Sequence, residues 1–225
     1  MKLIQAITVV GVLSLLAACG GGGGGAATES PNTGPVILTV NKDGFDFTDP
    51  YGNSNNFVQA ASSGYFVSTN AVFEWTGSSM TYTSGYVAPT GGVFKTFQVT
   101  KRQPSELAFS ITNLNYDISK TAPSIYIDVL PWAAFADAAE TKILGGSNND
   151  ITNFFQNTIE VDLANGNDTL KLTQNFNIYQ FSRVTNSNTS VNVTRDGHTT
   201  LIKNVESFQF ADSTKTLAEI LATLP

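Results

Sequence analysis

From Val36 onward the apolar residues come in short β-branched and aromatic runs, separated by Gly, Pro, Asn and Asp. That is a pattern of strands and turns rather than of helices. Val36–Val40 reads as the first strand. Residues 41–56 are turn-rich, with Phe45 and Phe47 spaced as in a short strand. Further strands are expected at residues 65–67, 71–75, 80–83, 93–100, 107–111 and 125–129. Residues 131–142 break the pattern. Trp132, Phe135 and Ala139 fall at helical spacing behind Pro131, which suits a first turn, so one short helix is expected there. Beyond it, strands are expected at residues 168–172, 177–184, 190–194, 199–202 and 208–210, with Asp196-Gly197 as a hairpin turn. Residues 215–224 read as a terminal helix carrying Leu217, Ile220, Leu221 and Leu224 on one face. The expected class is mainly β. Strand length and spacing in residues 36–142 suit a sandwich-like module or a twisted antiparallel sheet.

The first residues carry a different signal. Lys2 precedes a mostly apolar stretch from Leu3 to Leu16, the length of a signal-peptide core and short for a membrane span. It ends in Leu16-Ala17-Ala18-Cys19, which resembles the bacterial lipobox. The resemblance implies cleavage after residue 18, lipidation of Cys19 and attachment of the mature N-terminus to a membrane through acyl chains. Cys19 is the single Cys of the chain, so no internal disulfide and no thiolate zinc site is expected. Six glycines follow it, and residues 19–35 read as a flexible tether. The poly-Gly start resembles surface lipoproteins of Gram-negative bacteria, which implies an outer-membrane lipoprotein on the periplasmic or cell-surface face.

Charge and catalytic chemistry narrow the function. The 225 residues carry a formal charge of −6, so the basic footprint of a nucleic-acid binder is missing. The one His, His198, sits in the Arg195-Asp196-Gly197 turn, where an exposed polar residue is expected. Neither a G-x-S-x-G elbow nor an H-E-x-x-H helix occurs in the sequence. Carboxylate groups at Asp43, Asp46 and Asp49, or at Asp128 and Asp137, are candidates by composition alone. Tyr51, Tyr65, Tyr82, Tyr86 and Trp75 lie near turns, where a ring either stacks on a sugar or partner or fills the core.

The candidate chemistry lies further on. Leu144-Gly145-Gly146-Ser147-Asn148-Asn149-Asp150-Ile151 and Ala164-Asn165-Gly166-Asn167-Asp168-Thr169-Leu170 are two related turns. The first resembles the nonapeptide G-G-x-G-x-D-x-U-x of the RTX, or haemolysin-type calcium-binding, repeats, with Asn148 in place of a Gly. The second keeps the Gly-x-Asp-x-apolar half. Leu201–Thr214, with Asn204-Val205-Glu206 and then Phe208, Phe210, Ala211 and Asp212, resembles the module that closes such repeats. Asp150 and Asp168 are 18 residues apart, one full coil of a parallel β-roll. The resemblance therefore implies a short parallel β-roll coil and a β cap with a terminal helix over residues 143–225. It also implies calcium held by Gly145, Gly146, Asn148, Asp150, Asn165, Gly166 and Asp168, because calcium takes six to eight oxygens, among them carboxylates and turn carbonyls.

The reading from sequence is a lipid-anchored envelope protein, non-enzymatic, that binds calcium and a protein or glycan partner in adhesion or interaction. The alternatives are a ligand-capture protein for haem or carbohydrate, and a carboxylate-based hydrolase.

Overall fold

In a computed structural model, the described residues are 34–41, 57–103, 105–123, 127 and 129–225. The signal segment, Cys19, residues 42–56 with Phe45, Phe47 and three of the candidate Asp residues, and Asp128 lie outside them.

The first strands are β1 (Val36–Val40), β2 (Phe57–Gln59), β3 (Ser63–Val67), β4 (Ala71–Thr81), β5 (Gly91–Arg102), β6 (Ser105–Thr112) and β7 (Tyr116–Asp117). Helix α1 (Val129–Asp137) follows. The remaining strands are β8 (Thr141–Leu144), β9 (Ile151–Asn153), β10 (Thr158–Asp162), β11 (Thr169–Lys171), β12 (Gln180–Arg183), β13 (Ser190–Arg195), β14 (His198–Lys203), β15 (Ser207–Gln209) and β16 (Thr214–Thr216). Helix α2 (Leu217–Ala222) ends the chain. The protein is mainly β, as the sequence pattern requires.

The N-terminal strands form one antiparallel path, β1-β6-β5-β4-β3-β2, rather than two separate sheets. Alternation explains it. In β1 the odd members of Val-Ile-Leu-Thr-Val are exposed little and the even members more, so Val36, Leu38 and Val40 enter the core. Phe73 and Trp75 do the same from β4 and Phe97 and Val99 from β5. Trp75 is 1% exposed, with its indole N–H donating to the Tyr82 hydroxyl at 3.1 Å, whereas Tyr65 stays 38% exposed. The strand expected at residues 80–83 is the end of β4, which runs unbroken through Gly77. Register shifts at Thr76/Gly77 and Ser78/Thr81 absorb the irregularity as bulges. A Cβ at Gly77 would lie 2.2 Å from the Val93 carbonyl oxygen, so this glycine serves close strand approach rather than a turn.

Helix α1 begins at Val129, inside the strand expected at residues 125–129, and ends at Asp137, short of the expected Lys142. Pro131 occupies its first turn, where no N–H bond is needed. Asn157 stops it from outside: its side-chain amide donates to the Phe135 and Ala138 carbonyls at 3.0 and 2.8 Å, satisfying groups at the helix end. Residues 141 and 142 then pair as strand instead. Helix α2 is shorter than residues 215–224, opened by a capping box between Thr216 and Glu219.

The boundary expected between residues 142 and 143 falls inside β8. This strand lies parallel to β1, with Leu38 opposite Ile143. Strands from both segments thus share one sheet, and the described residues belong to one compact unit. Past β8 the chain alternates between two parallel stacks. β8, β10 and β14 form one, and β9, β11 and β15 the other. Ile143, Val161 and Ile202 line the interior of the first, Leu170 and Phe208 that of the second, each at 0–1% exposure. Buried Thr141 and Thr158 share a hydroxyl hydrogen bond of 2.9 Å, and Thr200 donates to the Thr158 carbonyl, so these three hydroxyls inside the first stack are paired. Between β11 and β14 the chain leaves for the antiparallel β12–β13 pair and returns. His198 begins β14 beyond a turn with Asp196 and Gly197 at φ 51° and 81°, and it is exposed, as expected for a hairpin.

On the outer side of the first stack, Glu160 bridges Lys142 at 2.7 Å and Lys203 on the opposite strand. The two ammonium groups hold its carboxyl below the ordinary range. The stabilisation is therefore present above the ordinary carboxylate value and is lost as pH falls through the depressed one. On the alkaline side, Glu160 raises Lys203, and that contribution disappears only as pH rises through the raised amine value. We expect Glu160→Gln to cost about 1 kcal/mol at neutral pH, the scale of a partly exposed ion pair. The difference from the parent should shrink toward zero in urea melts taken at acid pH. A cost that stays constant down to strongly acid pH would contradict this account.

Candidate metal site

The two turns that the sequence singles out are adjacent. Residues 145–150 join β8 to β9 and residues 163–168 join β10 to β11, and Leu144 is in register with Asp162. The turns stack because their strands pair one coil apart: Thr169 lies opposite Ile151, so Asp168 and Asp150 immediately precede matched strand residues.

All seven expected residues lie in these turns and touch across them. The Gly146 N–H donates to Asp150 Oδ2 at 2.8 Å, and the Asp150 N–H donates to Asp168 Oδ1 at 2.7 Å. The Asn165 N–H reaches the Gly146 carbonyl at 3.2 Å, and the Asn167 N–H reaches Asn149 Oδ1 at 2.9 Å. Two glycines are dictated by this closeness. A Cβ on Gly145 would lie 2.5 Å from the Leu163 carbonyl oxygen. One on Gly166, at φ 151°, would lie 2.2 Å from the Asn148 carbonyl oxygen and 2.6 Å from Asp168 Oδ1. Backbone of one turn thus rests directly on the next, which only a missing side chain permits. Asn148, which stands where the repeat has a Gly, does not take a glycine-type backbone. Its φ is not positive, and the left-handed non-glycine residue of the pair is Ala164, at φ 63°, so Asn148 is needed for no left-handed turn.

Asp150 and Asp168 are both 0% exposed. Burial pushes the Asp168 carboxyl above the ordinary carboxylate range. The Asp150 N–H opposes that shift, while the charges of Glu206 and then Asp150 add to it. Its Oδ2 is buried and accepts no hydrogen bond. A buried carboxylate oxygen without a donor is costly unless a proton or a cation meets it. A hard cation fits this donor set, which is all oxygen: carboxylates and backbone carbonyls at close-packed turns. Among the described residues no three His, Cys, Asp or Glu side chains converge on one point, so any ion would draw its other ligands from carbonyls and water.

The structure brings in one carboxylate that the sequence pattern did not mark as a ligand. Glu206 immediately precedes β15, whose Ser207 is in register with Thr169. Its Oε2 accepts the Asp168 N–H at 2.8 Å, the same office that Asp168 performs for Asp150. Asp150, Asp168 and Glu206 thus form a column, one per coil. The signal was its place in Asn204-Val205-Glu206, directly before an apolar strand, as Asp150 and Asp168 stand. The other acidic candidate that is described, Asp137, is engaged by Lys120 at 2.7 Å.

Comparison with protein-family models, with curated proteins and with solved structures gives no match for this chain.

Proposed function

We propose that the chain is a lipid-anchored, calcium-binding protein of the bacterial cell envelope, non-enzymatic, serving adhesion or interaction from the outer membrane. The coil is a minimal β-roll of the RTX kind. Gly145, Gly146, Asn148 and Asp150 of one turn and Asn165, Gly166 and Asp168 of the next supply the ion's surroundings. The observation that carries this reading is the buried, donor-free Asp168 Oδ2 in a stack of two turns that present carboxylates to each other. When bound, calcium neutralises this buried charge. The chain's own residues hold the two turns in register and keep Asp168 inside. The lipobox-like Leu16-Ala17-Ala18-Cys19 supports the membrane anchor.

Calcium titrated into the detergent-solubilised full chain should raise the melting temperature progressively, since a ligand of the native state stabilises it by mass action. The Asp150→Ala/Asp168→Ala double variant should show no such rise. Absence of a shift at millimolar calcium, or an equal shift in the double variant, would sink the calcium reading. Labelled palmitate should enter the parent and not Cys19→Ser in the same cells.

One observation favours a second reading, carbohydrate capture. A cleft of about 600 Å³ is lined by Asn113, Asn115, Tyr116, Asp137 and Glu140 beside the end of α1. Amides and carboxylates are groups that hold sugar hydroxyls, although the Tyr116 phenol already bonds Thr121 and Asp137 is held by Lys120.

A further inference from the structure

The three stacked carboxylates are not equivalent. The first two turns span residues 145–150 and 163–168, while the third contains only residues 204–206. The strands before them are nonetheless aligned, with Leu144, Asp162 and Lys203 in one register. A turn three residues shorter lacks the loop that carries an Asp across, and in it the side chain is one methylene longer. Glu206 reaches the neighbouring turn from the short connection and receives the Asp168 N–H there.

The two faces of Asp168 also differ. Toward the first turn, its Oδ1 is occupied by the Asp150 N–H. Oδ2 is the oxygen left over, buried and without a hydrogen-bond donor, a state that Asp150 Oδ1 shares on the first turn; only Asp168 also has the Glu206 carboxylate beside it, bonded to its own N–H. Among the described residues the ion pairs join other groups, and none involves Asp168 or Glu206. Glu206 is itself exposed, so the column ends at solvent on this side.

Resting on the calcium reading above, but moving the ion one turn along from where the repeat residues alone put it, we propose that Glu206 is a direct cation ligand and that the ion sits between the second and third turns, shared by Asp168 Oδ2 and the Glu206 carboxylate. Asp150 then acts as a hydrogen-bonding bracket that orders the first turn. The third turn, which carries no repeat motif, is part of the binding unit. One buried and one exposed carboxylate neutralise the ion's two charges, with turn carbonyls and water completing the shell.

Isosteric variants separate the roles, because an amide oxygen still accepts the backbone N–H that each carboxylate holds. Calcium alone is titrated calorimetrically into the solubilised full chain. Glu206→Gln should weaken calcium binding by roughly tenfold or more relative to Asp150→Asn, the scale of losing a charged ligand against losing a supporting contact. A smaller ratio, or the reverse order, overturns the assignment of Glu206. In that case a parent that still binds calcium leaves the calcium reading standing. A parent that binds none at millimolar calcium removes both. The variants are compared by melting in chelator. If Glu206→Gln melts early there, Glu206→Asp supplies the decision: it keeps the charge but withdraws it by one methylene from the short turn, and must show the same loss of affinity. Retained affinity in Glu206→Asp overturns the proposal.

Discussion

Phe97→Ala is expected to lower the stability of the folded chain by about 3–5 kcal/mol, the range for emptying a well-packed aromatic site. Phe97 is 1% exposed on β5 and its ring lies 6.4, 6.3 and 5.8 Å from those of Phe73, Phe94 and Phe109. The run does not end there. Phe109 stacks on Trp132 at 5.5 Å, Trp132 on Phe155 at 6.2 Å, and Phe155 meets the edge of Phe135 at 5.0 Å. A cavity at Phe97 opens the middle of a row that joins the antiparallel strands to α1 and to the loop after β9. Urea unfolding reads the loss as a lower midpoint with an unchanged slope. A cost under about 1.5 kcal/mol would mean that the surrounding rings collapse to fill the site, and that the row is not close-packed.

Ending the chain at Lys142 should have a larger effect still: the fragment is expected to lose its cooperative unfolding transition. The cut leaves only half of β8, so β1 loses its parallel neighbour and becomes an edge. It also removes Phe155 from Trp132 and Phe135, and removes the Asn157 amide that satisfies the carbonyls at the end of α1. Thermal melting by near-ultraviolet circular dichroism, with hydrogen exchange of the β4 and β5 amides, measures this. A sharp melt with native-like protection in the fragment would show that residues before 143 fold as an independent module.

Much of the chain was legible one segment at a time. Val36–Val40 is a strand with the bounds its residues suggest, because a five-residue β-branched run before a turn-rich stretch has few other uses. Asp196-Gly197 closes a hairpin, since its left-handed backbone needs such residues. The 18-residue spacing of Asp150 and Asp168 pointed to adjacent turns, and one N–H does join them across that interval. Misreadings came where a neighbour distant in sequence decides. The break expected between residues 75 and 80 is instead a continuous strand with a bulge at Gly77, pressed against Val93. Residues 141–142 read as helix but pair with β1, after Asn157 has closed the helix from outside. Glu206 was hidden by distance: with the β12–β13 excursion it lies 38 positions beyond Asp168, so no short repeat connects them.

Local pattern alone settled the mainly β class, strands such as Val36–Val40 and the pair of glycine-bearing acidic turns. These are local properties, set by side-chain branching, turn chemistry and periods of two or eighteen residues. Only the tertiary structure decided that β8 would join β1 in one sheet, and that Glu206 would become the third member of the carboxylate column. Backbone pairing between distant strands has no local signature. It is chosen by which arrangement buries Leu38, Ile143, Val161 and Ile202 together while leaving their N–H and C=O groups paired.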